Sequence, residues 1–157
     1  MKREFVATAY VVEDHRVLLV YHKKLEKWLP PGGHIDPDET PTDAARREVL
    51  EETGLEVELV SQEAIWVERW NAKSLERPYL CLLEEIPAYR DVPAHQHMDF
   101  IYLARMTGGE LCQNEEETHD IRWFTLEEVE QLQSDEDIFV ETQEVIRTIL
   151  TTQSVGV

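Results

Sequence analysis

Apolar residues along this chain gather in short runs rather than long ones. Residues 5–12 and 16–21 are rich in β-branched and aromatic side chains, and the polar Glu13, Asp14 and His15 between them predict a hairpin. Strand-like runs recur at 55–60, 63–70, 79–83, 99–105 and 121–124, separated by a polar loop over 71–77 and an irregular stretch over 87–93. Helical spacing occurs twice. Residues 41–53 carry Ala44, Ala45 and Val49 on one face, with Thr40 as N-cap, Pro41 at the first helical position and Gly54 as the stop. Residues 138–151 place Ile138, Val145, Ile146, Ile149 and Leu150 on another amphipathic face, and Thr125 with Glu128 forms a capping-box pattern ahead of it. Strands, helix, strands, helices is the order of an α/β protein of the α+β type, a mixed sheet covered by helices.

Composition narrows the functions. The chain has 157 residues, 42% hydrophobic and 31% charged, which predicts one domain over 1–157 with a disordered tail over about 152–157. Thirty-three acidic against 15 basic side chains give a net charge of -18, which argues against duplex nucleic acid and anionic membrane surfaces as partners. A phosphorylated substrate would then need metal ions or a local basic patch. Cys81 and Cys112 stand far apart outside any ligand spacing and read as buried thiols. With no signal-peptide pattern and no membrane-length apolar run, a cytoplasmic protein is expected. Monomer and homodimer both stay open.

Residues 33–55 carry the chemistry. On the helix, Glu48, Glu51 and Glu52 lie within about 100° of one another, where like charges repel by a few tenths of a kcal/mol per pair. A bound cation would offset that repulsion. An all-oxygen set suits Mg²⁺ or Mn²⁺ rather than zinc. A solvated acidic helix face is the plain alternative, and three glutamates alone would not displace it. The wider spacing does. Gly33, five residues, Glu39, seven residues, Arg47-Glu48, Val49, one residue, Glu51-Glu52, one residue, Gly54 and Leu55 resembles the Nudix box at every fixed position. The stretch covers about a seventh of the chain, and its Trp-Leu-Pro-Pro-Gly-Gly lead-in also resembles that family.

The resemblance implies an α/β/α sandwich and hydrolysis of a nucleoside diphosphate linked to another moiety X, by water attack on phosphorus. It implies Glu48, Glu51 and Glu52 as metal ligands, joined by the Gly32 carbonyl, with Mg²⁺ as cofactor and Mn²⁺ as substitute. Arg47 and Glu39 would organise the carboxylates, Gly33 and Gly54 would shape the backbone, and Glu51 or Glu52 would serve as base. Divalent ions there would neutralise the diphosphate and polarise phosphoryl oxygens. A distal acidic residue often precedes a Trp-Phe strand end in such proteins. Here Glu115, Glu116 and Glu117 precede Trp123-Phe124, and Glu117 is the preferred match.

Other candidates are weaker. His95, His97 and Asp99 alternate, so on a strand they share one face about 7 Å apart and could meet phosphate, proton or metal. His22, Lys23, Lys24 and Lys27 form a local basic cluster that could meet phosphates, although exposed lysines are common. Trp66, Trp70 and Tyr79 could stack on a base, but aromatics in strands more often belong to the core. Among rival functions, an EF-hand starting at Asp36 fails, because Pro41 and Arg47 stand where glycine and glutamate are needed. Neither cysteine suits an isoprenoid isomerase of the same fold. A nucleotide-binding Nudix-like module without catalysis remains the main alternative, though no box glutamate is missing. The identity of X is left to loops outside the box.

Overall fold

The computed structural model describes residues 1–152. β1 (Arg3–Glu13) and β2 (Arg16–His22) form the expected hairpin, turned by Asp14 and His15 with φ of 51° and 60°. Two successive positive φ values are those of a type I′ turn, whose twist suits a two-residue hairpin. The two strands pair only at Val12 with Val17 and Glu13 with Arg16, then part. Into the divergence come β3 (Lys27–Leu29), antiparallel to β2, and β4 (Gly32–His34), antiparallel to β1 at Val6, Ala7 and Thr8. Both short strands lie in what the sequence presents as a proline- and glycine-bearing loop.

α1 (Pro41–Thr53) has the predicted bounds, with the Thr40 side chain accepting from the Asp43 N–H and Gly54 closing the last turn. β5 (Leu55–Val60), β6 (Leu80–Ile86) and β7 (His95–Gly109) follow. β7 runs parallel to β1 along one edge; its other edge pairs with β6 over residues 95–101 and with β5 over residues 103–109. β8 (Thr118–Thr125) pairs with β2, and α2 (Leu126–Glu130), with its Thr125–Glu128 capping box, leads to α3 (Val140–Thr151). The sheet order is β3-β2-β1-β7-β5.

Both faces of the sheet are covered. Ala7, Ala9, Val11 and Ala104 meet Ala44, Ala45 and Val49 of α1, and alanine against alanine brings the helix backbone close to the sheet. The opposite face packs Tyr10, Val12, Ile101 and Leu103 against Val129, Ile138, Ile146 and Ile149 from the α2 and α3 region. This is the α/β/α sandwich expected. No helix among the described residues is long and apolar enough to cross a membrane.

Some expectations fail. Residues 63–70 do not form a sheet strand; Glu68 makes only an isolated bridge to Lys73. Both edges of β7 are already taken, and Trp66, Trp70 and Tyr79 stand 47%, 91% and 40% exposed rather than in the core. Cys81 and Cys112 are exposed, not buried, Cys81 because it occupies an outward position on the alternating β6. The second long helix starts at Val140, while Ile138 is buried in the preceding turn. The tail expected over 152–157 lies outside the described residues, save Thr152.

Gly54 has φ of 78°, and a Cβ on it would stand 2.2 Å from the Glu110 carbonyl oxygen. Strain and clash act together there. Gly54→Ala should lower unfolding free energy by about 2 kcal/mol or more, measured by urea denaturation.

Candidate active site

The site begins with space that a side chain would fill. A Cβ on Gly33 would lie 2.6 Å from the Glu48 carboxylate, so glycine alone leaves room for Glu48 against β4. One helical turn further, Glu52 Oε2 accepts a 2.7 Å hydrogen bond from the Gly32 N–H. Residues four apart share a helix face, and the close seat of α1 drives that face into the sheet. Glu48 and Glu52 are consequently buried, at 8% and 3% exposure.

A third carboxylate arrives from the segment before β8. The Glu117 N–H donates to the Asn114 carbonyl, and the Glu117 carbonyl accepts from the Lys23 N–H. The Lys23 ammonium is hydrogen-bonded to the Glu115 carbonyl, fastening this segment to the end of β2. Glu48, Glu52 and Glu117 each bring one oxygen to within 4.8 Å of the others. Of the three candidate acidic residues before β8, Glu117 is the one brought to Glu48 and Glu52, while Glu115 and Glu116 lie outside that grouping.

Arg47 organises the rim. Its Nε and Nη2 hold both oxygens of Glu39 at 2.8 and 3.0 Å; Nη1 reaches Glu48 at 2.9 Å and Glu51 at 3.1 Å; Nη2 also donates to the His34 carbonyl at 3.0 Å. The Arg47 hydrogen bonds hold the Glu39 carboxyl below its usual range. Glu51, its side chain half exposed, turns to this guanidinium rather than into the group formed by Glu48, Glu52 and Glu117.

Inside that group the electrostatics are adverse. Burial, then the neighbouring Glu48, pushes the Glu52 carboxyl up to about 9, and burial likewise raises Glu48 against the pull of Arg47. Two desolvated carboxylates face a third with only oxygen donors to offer, and the one neighbouring guanidinium, Arg47, reaches Glu48 but not Glu52 or Glu117. That donor set fits a hard divalent cation, and Glu48, Glu52, Glu117 and the adjoining Gly32 backbone are the groups able to hold one.

The remaining candidates lie elsewhere. His22 Nδ1 accepts from the Leu25 N–H, Lys24 Nζ sits 4.8 Å over the Tyr89 ring, and Lys27 Nζ sits 5.0 Å over the Phe139 ring. The basic cluster thus disperses into local contacts. Trp66 is on an exposed loop. Asp99 is buried and accepts from Thr8 Oγ1 at 2.9 Å, with burial raising its carboxyl and that of the adjacent Glu84. His95 and His97 meet each other and Glu4, which the sequence did not single out, together with His34. No local spacing links Glu4 to residue 34 or 97; only the pairing of β1 with β4 and β7 does.

A NUDIX domain family model matches residues 2–143. The chain belongs to the NUDIX family. Among relatives, a Bacillus subtilis (strain 168) protein provisionally named an 8-oxo-dGTP diphosphatase is 30% identical over 113 residues, 72% of this chain and 60% of that protein. Phosphatase NudJ of Escherichia coli is 31% identical over 113 residues, 70% of this chain and 72% of NudJ. This NUDIX chain therefore spans under two thirds of the length of the first relative. A NUDIX-family hydrolase structure from Clostridium perfringens superposes with a TM-score of 0.75 at 29% identity, covering 96% of this chain and 98% of that one. Use of divalent metals is general in the NUDIX family, and the box residues of this member are the ones that converge around Gly32 and Gly33.

The raised Glu52 carboxyl links stability to pH in the metal-free protein. Its folded value of about 9 exceeds the unfolded carboxylate value of about 4.3, so the proton-held form favours folding below the latter. That contribution is lost as pH rises towards 9. Urea unfolding in chelator should show Glu52→Gln gaining stability over wild type between pH 6 and about 9. A constant difference across that window would contradict the shift.

Proposed function

We propose that this protein is a metal-dependent pyrophosphohydrolase that cleaves the diphosphate linkage of a nucleoside diphosphate joined to a further group X. The observation that carries the reading is the convergence of the buried Glu48 and Glu52 with Glu117 in a set of oxygen donors. Glu48, Glu52 and the Gly32 carbonyl would hold Mg²⁺, with Mn²⁺ as a substitute, while Glu117 closes the set and Glu51 joins it from the rim. When bound, such ions neutralise the diphosphate and polarise the phosphoryl oxygen under attack.

The chain's own residues do the rest. Arg47, pinned by Glu39, fixes Glu48 through a charge-assisted hydrogen bond and keeps Glu51 at the edge of the site. The Gly32 N–H fixes one oxygen of Glu52. Two carboxylates are candidates for taking the proton of the attacking water: Glu51, which solvent reaches, and Glu52, which the Gly32 N–H holds in place. His22, Lys24, Trp66, His95, His97 and Asp99 are secondary candidates for substrate contact. We assign the protein to the cytoplasm, since a nucleotide substrate and two free exposed thiols suit a reducing compartment.

For X, the classes to separate are nucleoside triphosphates including oxidised ones, ADP-ribose and other nucleotide sugars, and dinucleoside polyphosphates. A product-resolved screen with Mg²⁺ and Mn²⁺ distinguishes them and identifies the phosphorus attacked. Binding without turnover across the panel would sink the enzyme reading in favour of a nucleotide-binding module.

With an active substrate in hand, Glu52→Gln should lower kcat at least about 100-fold, a loss of roughly 2.7 kcal/mol of transition-state stabilisation. Glu117→Gln should cost about 10-fold, or roughly 1.4 kcal/mol. Steady-state kinetics check both, and chelator should abolish turnover. A chelator-insensitive rate would contradict the assignment.

A further inference from the structure

A second convergence of side chains lies on the other face of β4. Gly33 faces Glu48, so its neighbour His34 points to the opposite side of the strand, towards β1 and β7. There Glu4 of β1 projects a single carboxylate oxygen among three imidazoles. Glu4 Oε1 is 3.2 Å from His34 Nε2, 3.2 Å from His95 Nε2 and 3.6 Å from His97 Nε2, and the Nε2 atoms of His95 and His97 are 3.3 Å apart. Glu4, His34 and His97 each place a donor atom within 4.8 Å of the other two. A tetrahedral ion with metal–nitrogen bonds of about 2.0–2.1 Å separates its ligand atoms by about 3.3 Å. Four of the separations among these donors, 3.2, 3.2, 3.6 and 3.3 Å, match the edges of such a tetrahedron.

The hydrogen bonding points the same way. His95 Nδ1 stands 3.0 Å from the Pro93 carbonyl, an acceptor only, so Nδ1 carries the hydrogen. In a neutral His95 ring the lone pair is then on Nε2, which faces His97 Nε2 at 3.3 Å and stands 3.2 Å from the Glu4 carboxylate. A ring proton from His97 or a cation shared among these atoms would satisfy that lone pair. A backbone carbonyl that holds the far N–H of an imidazole is also the arrangement that usually orients a histidine ligand. His95 is only 7% exposed, and an uncharged imidazole is the form that binds metal. Asp99 is not part of the set, since Thr8 occupies its carboxylate.

We propose that Glu4, His95, His97 and His34 form a binding site for a divalent transition metal of the Zn²⁺ type, separate from the box carboxylates. Three imidazoles and one carboxylate are borderline-soft donors, in contrast to the all-oxygen set around Glu52, so the two sites select different ions. Glu4, His95 and His97 are its inner ligands, and the more exposed His34 closes it from solvent. Such an ion ties β1, β4 and β7 together at one end of the sheet. The assignment does not depend on pyrophosphohydrolase activity.

Co²⁺ titration of the full chain, stripped with chelator, tests it. In a Glu48→Gln/Glu52→Gln background, which disables the carboxylate site, Co²⁺ alone should bind with one equivalent and give the strong visible bands of four-coordinate cobalt. Zn²⁺ should displace it and raise Tm. His97→Gln should weaken binding at least about 100-fold, and His34→Gln, at a residue whose side chain is 59% exposed, about 10-fold with the fold kept. Should His97→Gln fail to fold by circular dichroism, His34→Gln and Glu4→Gln carry the test. Absence of Co²⁺ binding in the double-variant background, or binding unchanged in His34→Gln and Glu4→Gln, would overturn the proposal and leave a proton as the bridging charge.

Discussion

The Arg47 guanidinium is the interaction on which the site's arrangement depends. Five N–H donors in a rigid plane meet Glu39 with two hydrogen bonds, Glu48 and Glu51 with one each, and the carbonyl of His34 on a neighbouring strand. A lysine could satisfy one or two of these acceptors but not the fork. The contacts join the loop before α1, the helix itself and β4 into one unit. They also offset part of the repulsion among box glutamates, and they do so selectively. Glu48 and Glu51 are reached by Arg47, whereas Glu52 receives only the Gly32 N–H, and burial pushes its carboxyl up to about 9.

That selectivity rests on how closely α1 sits on the sheet. Ala44 and Ala45 over Ala7, Ala9 and Ala104 remove the bulk that would hold the helix away. The missing side chain at Gly33 then lets the Glu48 carboxylate lie directly on β4. Small residues at these positions therefore set the desolvation of Glu48 and Glu52, and desolvation sets their protonation. Packing and electrostatics are one design here.

Much of this could be read from the chain before any fold was known, because it is local. α1 was legible to the residue, since Thr40, Pro41 and Gly54 act through backbone geometry within one turn. The convergence of Glu48 with Glu52 follows from helical periodicity, and Glu117 came from the resemblance of its setting rather than from periodicity. What escaped is long-range. Glu51 shares the helix face in sequence, yet Arg47 draws it aside, a competition no wheel displays. Trp66 and Trp70 have strand-like composition, but β5 and β6 complete the pairing of β7 and leave residues 63–70 outside the sheet. β4 was hidden among prolines and glycines because its partners in β1, Val6 to Thr8 against His34 to Gly32, lie far earlier in the chain. Glu4 gave no local signal, since its neighbours come from β4 and β7.

β4 is three residues long, and its alternation keeps an imidazole and a carboxylate helix on separate sides of one thin wall. A slip of one position in its pairing with β1 would carry the His34 ring towards Glu48 and set a glycine before Glu4. Nitrogen donors would then stand in the oxygen pocket, and the opposite pocket would lose a donor. Inserting a residue between Pro31 and Gly32 would thus exchange the donors offered on the two sides of the strand at once, without altering any charged side chain.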